Sequence, residues 1–241
     1  MAEAPLRLLA AFRGLFAGVR YLHRVSNLGD RVCVELYEDL YALGRSAKFV
    51  RTVDERQRGV GPANAAVTPQ RMRRGDGTFG ELLEPRRALA VEGFRVARGA
   101  VATIDCGAEM KVLNKAMIKQ IDRVVNDLEK QVRQWQAVTR DVVTLAIVGI
   151  NCAERTTGYE GEKATPTDGR THKHPIQEAA AAEQRIRERV VERRIYDEVL
   201  LLRYRATNEP PYPFAWVDER ESKQAYRAAL IRLSHALEQR L

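Results

Sequence analysis

The chain has few of the residues that define several protein classes. Its 241 residues include three cysteines, Cys33, Cys106 and Cys152, which are odd in number and widely spaced. We therefore expect neither a disulfide framework nor a CxxC metal site. Aromatic residues make up 7% of the chain, and its 9 prolines and 16 glycines are too few for a collagen-like or low-complexity protein. A compact globular domain is expected instead.

Long hydrophobic runs are also lacking. The longest uncharged apolar run is far shorter than the ~20 residues that a membrane-spanning helix needs. Residues 1–20 carry their arginines within the apolar stretch, unlike a cleavable signal peptide. The sequence contains no Walker A loop, GxGxxG, GxSxG or HExxH motif, so nucleotide-driven, dinucleotide and serine-hydrolase chemistry lose support. We therefore expect a cytoplasmic protein that uses neither a membrane nor a nucleotide cofactor.

Arginine is the residue that the chain has in excess. Of its 40 basic residues, eight are lysine and 32 are arginine, and the formal net charge is +8. Arginine makes bidentate contacts with phosphates and base edges, which favours a nucleic-acid partner. Coding bias in a GC-rich genome produces the same excess without any function, so composition alone leaves both interpretations open.

The spacing of apolar residues predicts an α/β sandwich, with a central mixed β-sheet flanked by helices and an N-terminal helical pair. Helices are predicted at 6–25, 30–54, 114–137, 176–194 and 219–240. Strands are predicted at 94–97, 100–105, 108–112, 142–150 and 196–206. The first two strands flank Arg98-Gly99, which is typical of a hairpin turn.

A single compact domain with three parts is predicted from this order. The N-terminal helices occupy 1–58 and pack on the core, a basic loop lies within 59–84, and the core occupies 85–241. The basic loop lacks periodicity between residues 56 and 80. A second long polar loop, 151–175, lies inside the core region. Loops of this length in a compact domain are usually functional or disordered.

The most informative motif is Asp105-x3-Glu109-x-Lys111. Glu109 and Lys111 are two residues apart on a predicted strand, so their side chains point to the same face. A charged pair on a central strand is costly unless that face opens onto solvent, a metal or a ligand. Carboxylates are suitable ligands for Mg²⁺, which keeps several waters and binds substrate phosphates. A lysine beside the metal can orient or deprotonate an attacking water.

These three residues resemble the D…(D/E)-x-K signature of the PD-(D/E)XK nuclease superfamily, which includes many type II restriction endonucleases. The predicted order of elements over 92–206 agrees with that family. The resemblance implies a restriction-endonuclease-like fold and Mg²⁺-dependent hydrolysis of double-stranded DNA, with Mn²⁺ as a substitute metal. It also implies that Asp105 and Glu109 bind the metal and that Lys111 assists the water. A site-specific enzyme that cuts a palindrome would be a homodimer.

The short interval between the two acids departs from the family pattern. On a straight strand Asp105 and Glu109 lie ~13 Å apart, too far to share an ion, and family members commonly place the first acid on a neighbouring strand. A bulge at 106–107 is one solution. Glu92, opposite Asp105 across the predicted hairpin, is a second candidate for both catalysis and metal binding, and Glu35 on the second helix is a further catalytic candidate. An alternative explanation is that Glu109 and Lys111 are a solvent-facing pair on an edge strand and have no function.

Basic residues outside the motif form a stripe at i, i+4 spacing on the helix after Lys111 and occur in both long loops. Such residues are suited to a phosphate backbone, although an ordinary solvated surface gives the same pattern. The predicted DNA-binding residues are Lys115, Lys119, Arg123, Arg71, Arg73, Arg74, Arg155, Arg170 and Lys173. The competing hypotheses are a non-specific or repair and defence DNA nuclease, and a non-catalytic nucleic-acid-binding module.

Overall fold

The computed structural model describes residues 6–23, 28–61 and 75–241. Its helices are α1 (Arg7–Gly14), α2 (Leu28–Leu43), α3 (Ala47–Asp54), α4 (Met117–Val138), α5 (Pro175–Ile186) and α6 (Glu219–Arg240). Its strands are β1 (Arg58–Gly61), β2 (Gly77–Glu81), β3 (Cys106–Leu113), β4 (Val143–Asn151), β5 (Thr157–Glu160), β6 (Lys163–Pro166), β7 (Glu198–Ala206) and β8 (Phe214–Trp216).

Six of these strands form one mixed sheet in the order β1-β2-β3-β4-β7-β8. The three central strands, β3, β4 and β7, are parallel, while β1, β2 and β8 run antiparallel to their neighbours. β5 and β6 form a separate hairpin after β4. The predicted α/β class, mixed sheet and N-terminal helical pair are therefore confirmed. None of the helices in the described ranges has the length and apolar character required to span a membrane.

The two faces of the sheet are covered by different helices. One face packs against α1, α2, α3 and α6, and the other packs against α4 and α5. Cys106, Ala108 and Met110 of β3 belong to the first core, whereas Leu113 belongs to the second. Because side chains of a strand alternate between faces, Glu109 and Lys111 lie on the α4 side with Leu113.

A side chain from a distant segment caps the N-terminus of α4. The first N–H of α4, from Met117, donates a 2.6 Å hydrogen bond to the buried carboxylate of Glu178 on α5. Ala116, at the N-cap position of α4, has a φ of 50° and supplies no side-chain cap. Glu178 therefore serves as the cap, since the first N–H groups of a helix have no partner within the helix.

The N-terminal helices are shorter than their apolar patterns predict. The predicted helix 30–54 is divided between α2 and α3, because Gly44 ends α2 with a φ of 64°. The predicted helix 6–25 ends at Gly14. Beyond that point the chain turns so that Phe16 and Tyr21 stack with ring centroids 4.6 Å apart. Continued apolar spacing here reflects core packing rather than a continued helix.

The predicted hairpin at 94–97 and 100–105 is wrong. The N–H groups of Arg95 and Val96 donate to the buried Glu38 carboxylate, and the carbonyl of Ala97 accepts from Val60. Residues 97–99 therefore lie along the outer edge of β1, and residues 100–105 make backbone hydrogen bonds to 79–83 in and after β2, instead of the segment pairing with itself.

Both segments that were predicted as long loops contain strands. β1 and nearly all of β2 lie in 56–80, with residues 62–74 of that segment outside the described ranges, and the β5–β6 hairpin lies in 151–175. Neither segment shows the strict apolar alternation from which strands are predicted.

Candidate active site

Glu109 and Lys111 form the centre of the candidate site on β3. Their side chains are joined by a 2.5 Å hydrogen bond from Lys111 Nζ to Glu109 Oε1. The Glu109 side chain is 8% exposed and that of Lys111 is 25% exposed. β3 is paired with β2 on one side and with β4 on the other, so it is a central strand. The interpretation of these residues as a surface pair on an edge strand is therefore wrong.

The acid next to Glu109 is Asp76, which the sequence did not single out. β2 pairs antiparallel with β3, with Gly77 opposite Ala108, so Asp76 lies directly before the first paired residue. Its N–H donates to Glu109 Oε2 at 3.3 Å, and its Oδ2 accepts from the N–H of Met110 at 2.8 Å. These two hydrogen bonds place Asp76, just before the start of β2, beside Glu109 and Met110 of β3.

The site concentrates negative charge in a buried setting. Burial and the negative charge of Asp76 raise the pKa of Glu109 to about 7, although Lys111 opposes this shift. Burial acts to lower the pKa of Lys111, but the charges of Glu109, Asp76 and Asp127 outweigh it and raise that pKa. Lys111 is therefore a protonated hydrogen-bond donor at neutral pH. A buried Glu109 carboxylate beside the half-buried Asp76 is stabilised by a further cation.

The structure places Asp105 away from Glu109. Its Oδ2 accepts a 2.6 Å hydrogen bond from Arg58 Nε of β1, in a partly buried ion pair. From Cys106 onward β3 stays in continuous register with β4, so the bulge considered at 106–107 does not form. Three residues of regular strand, 106–108, therefore lie between the two acids, and Asp105 is not brought to the site.

Glu35 and Glu92 also lie elsewhere. Glu35 on α2 accepts a 2.6 Å hydrogen bond from Arg7 Nε. Glu92 is exposed in a turn next to Gly93, whose carbonyl accepts from Arg7 Nη1. Glu92 was expected to face Asp105 across a hairpin that does not form, so the geometric reason for choosing it is lost.

The donor set of the site fits a hard divalent cation. Within residues 6–23, 28–61 and 75–241, no group of three or more His, Cys, Asp or Glu side chains is arranged to hold a metal. Asp76 and Glu109 provide two carboxylates, and Mg²⁺ is commonly held by one or two carboxylates together with waters and substrate phosphates. Burial and the neighbouring Asp76 disfavour the charged form of Glu109, so a cation bound here would stabilise that charge.

The predicted DNA-binding residues differ in their surroundings. Lys119 and Arg123 are exposed on α4, and Arg170 and Lys173 are exposed in the loop before α5. Lys115 instead donates to the carbonyl and hydroxyl of Thr165 on β6, at 2.5 and 2.7 Å. The remaining predicted residues are Arg155, which pairs with Glu209 at 3.5 Å, and Arg71, Arg73 and Arg74, which lie outside the described residues.

The sequence did not identify Asp76 as a site residue, because its proximity to Glu109 depends on the pairing of β2 with β3. It precedes Glu109 by 33 positions and lies in Gly75-Asp76-Gly77, within a segment that was interpreted as a loop. The family expectation of a first acid on a neighbouring strand was the one available signal. Comparison of the chain with family models, with curated proteins and with solved structures gives no match.

Proposed function

We propose that the protein is a Mg²⁺-dependent endonuclease that hydrolyses phosphodiester bonds of double-stranded DNA, and that its core is restriction-endonuclease-like. The observation that most strongly supports this proposal is the position of Asp76 beside Glu109, where β2 pairs with β3. The resemblance to the PD-(D/E)XK family implies a first acid on a strand next to the E-x-K strand. Asp76, Glu109 and Lys111 supply that arrangement, whereas Asp105 does not.

The order of elements supports the same proposal. β1, β2 and β3 form an antiparallel meander, α4 follows β3, and β4 then pairs parallel with β3. This agrees with the helices, meander, helix and strand that the family resemblance implies. The site lies on the α4 side of the sheet, where Lys119 and Arg123 of α4 are exposed to a polyanion.

Each residue of the site has a distinct role in the proposed reaction. Asp76 and Glu109 would hold Mg²⁺, which when bound stabilises negative charge on the phosphoryl group. Lys111 holds its proton at Nζ and donates to Glu109, and the same ammonium orients the attacking water or neutralises developing charge. Its raised pKa makes it a hydrogen-bond donor rather than a general base in this state.

Site-specific cleavage is the form of this activity that we favour, by family resemblance. Cutting a palindrome would use a symmetric homodimer, so that each copy cuts one strand. Cleavage of long duplex DNA by the purified protein, with Mg²⁺ or with EDTA, tests the proposal. Discrete metal-dependent fragments would support a type II restriction enzyme, whereas a metal-dependent smear would indicate a non-specific or repair-type nuclease.

Variants of the two motif residues test the assignment of the site. Glu109→Gln and Lys111→Met should lower cleavage by about 100-fold or more, while leaving DNA binding within a few-fold of the wild type. Glu81→Gln, on the exposed end of β2, is the matched control and should cleave normally. Intact DNA in every condition, with tight binding, would reject the nuclease and favour a non-catalytic binding module. Full activity of both site variants would reject this site.

A further inference from the structure

Asp76 lies just before the first paired residue of β2. The β2–β3 ladder comprises three residue pairs and stops at Gly77. The carboxylate of Asp76 accepts from the N–H of Met110 at 2.8 Å, and the N–H of Asp76 donates to Glu109 at 3.3 Å. Because Asp76 lies outside the ladder, the side chains that pack against the adjoining backbone also help to fix its position.

The indole of Trp135 on α4 packs against that backbone. A Cβ built on Gly75 would lie 2.2 Å from Trp135 Cζ2, and one built on Gly107 would lie 2.7 Å from Trp135 Cδ2. Trp135 is fully buried, and its Nε1 has no hydrogen-bond partner among residues 6–23, 28–61 and 75–241. Within these residues the indole is therefore held by packing, including its contacts with the two glycines, and not by a hydrogen bond of Nε1.

α2 bounds Asp76 from another direction. A Cβ built on Gly29, in the first turn of α2, would lie 2.2 Å from Asp76 Cγ. The backbone of α2 therefore lies directly against the carboxylate. Asp76 lies between α2 and the β2–β3 junction, with Trp135 pressed against the residue before it.

We infer that Trp135 is a positioning residue for Asp76, acting through van der Waals contact with Gly75 and Gly107. The inference rests on the proposed function in that the carboxylate it positions is the proposed metal ligand. An outer contact that orients a metal ligand typically changes metal affinity by about 10–100-fold. The contact with Gly75 requires a residue without a side chain, so the sequence Gly75-Asp76 is part of the site.

Two variants test this inference: one introduces a steric clash between residue 75 and Trp135, and the other removes that clash. Gly75→Ala should displace Asp76, accelerate hydrogen exchange of the Met110 amide and weaken Mn²⁺ binding by about 10-fold or more. Gly75 does not have a left-handed backbone, so alanine is strained there through contact with Trp135 and not through its φ. The double variant with Trp135→Phe removes Cζ2, so Met110 protection and Mn²⁺ affinity should recover to the level of Trp135→Phe alone.

Two controls separate positioning from loss of the fold. Gly14→Ala, where no atom lies within 4 Å of the added Cβ, should leave both readouts unchanged. Trp135→Phe alone adds no clash, so it tests the inference even if Gly75→Ala does not fold. It should raise Met110 exchange, but by less than Gly75→Ala does. Unchanged Met110 exchange in either single variant, or a double variant no better than Gly75→Ala, would overturn the inference.

The two readouts also distinguish this inference from the proposed function. A wild type that neither binds Mn²⁺ nor cleaves DNA would reject the metal-dependent nuclease. Exchange of the Met110 amide reports the hydrogen bond to Asp76 without any metal, so it would still decide whether Trp135 positions that carboxylate.

Discussion

Replacing Asp39 with alanine removes the cap of α1 and leaves several buried donors without a partner. The carboxylate of Asp39, on α2, accepts from the N–H groups of Arg7 and Leu8 at 2.9 and 3.0 Å. It also accepts from the hydroxyl of Tyr226 on α6 at 2.7 Å. At about 1 kcal/mol for each lost bond, Asp39→Ala should lower the free energy of unfolding by about 3 kcal/mol.

Urea unfolding followed by circular dichroism measures this loss. For a chain of this length the corresponding decrease in Tm is about 6–12 °C. Tyr226→Phe removes one of the three bonds and should cost about 1 kcal/mol. Asp218→Ala, which removes the exposed cap of α6, is the matched control and should also cost about 1 kcal/mol. If Asp39→Ala cost no more than Asp218→Ala, the argument that these three bonds fix α1 to the core would be refuted.

Three further predictions concern charge at other sites. Burial acts to raise the pKa of Asp197, but the hydrogen bonds from Arg240 and from a backbone N–H outweigh burial. The pKa of Asp197 therefore lies below its ordinary 3.8. The pair thus stabilises the fold above pH 3.8, and in urea unfolding the destabilisation by Asp197→Asn should shrink as the pH falls below 3.8. Replacing Lys119 and Arg123 with alanine should reduce the salt slope of DNA binding by about 1–2, whereas an unchanged slope would remove them from the interface. Lys115→Ala should leave that slope unchanged but accelerate amide exchange in β5 and β6, because its bonds to Thr165 are lost.

Strong periodicity made several elements predictable. α4, α6, β4 and β7 lie within a few residues of their predicted bounds, since the helices carry long apolar rows at helical spacing and the strands are largely apolar runs of strand length. The two-residue spacing of Glu109 and Lys111 likewise predicted that they share a face. These features depend on local sequence, which a single chain displays directly.

Features that depend on distant pairing were not predictable. β2 has the sequence GTFGE, whose two glycines hide any alternation, so the strand that places Asp76 was interpreted as a loop. The segment 94–105 looked like a hairpin, but its backbone groups bond to Glu38, to the edge of β1 and to residues 79–83. In both cases a partner far away in the chain decides the structure, and local propensity is overridden.

Side-by-side cleavage by Asp76→Asn and Asp105→Asn is the most direct test of the proposed site. Both proteins would be assayed on the same duplex DNA with Mg²⁺ and with EDTA, at equal concentrations of folded protein. We predict that Asp76→Asn loses about 100-fold or more of the activity, because one of the two adjacent carboxylates is neutralised. Asp105→Asn should stay within a few-fold of the wild type, since its carboxylate pairs with Arg58. Loss of cleavage in Asp105→Asn with full activity in Asp76→Asn would contradict the account.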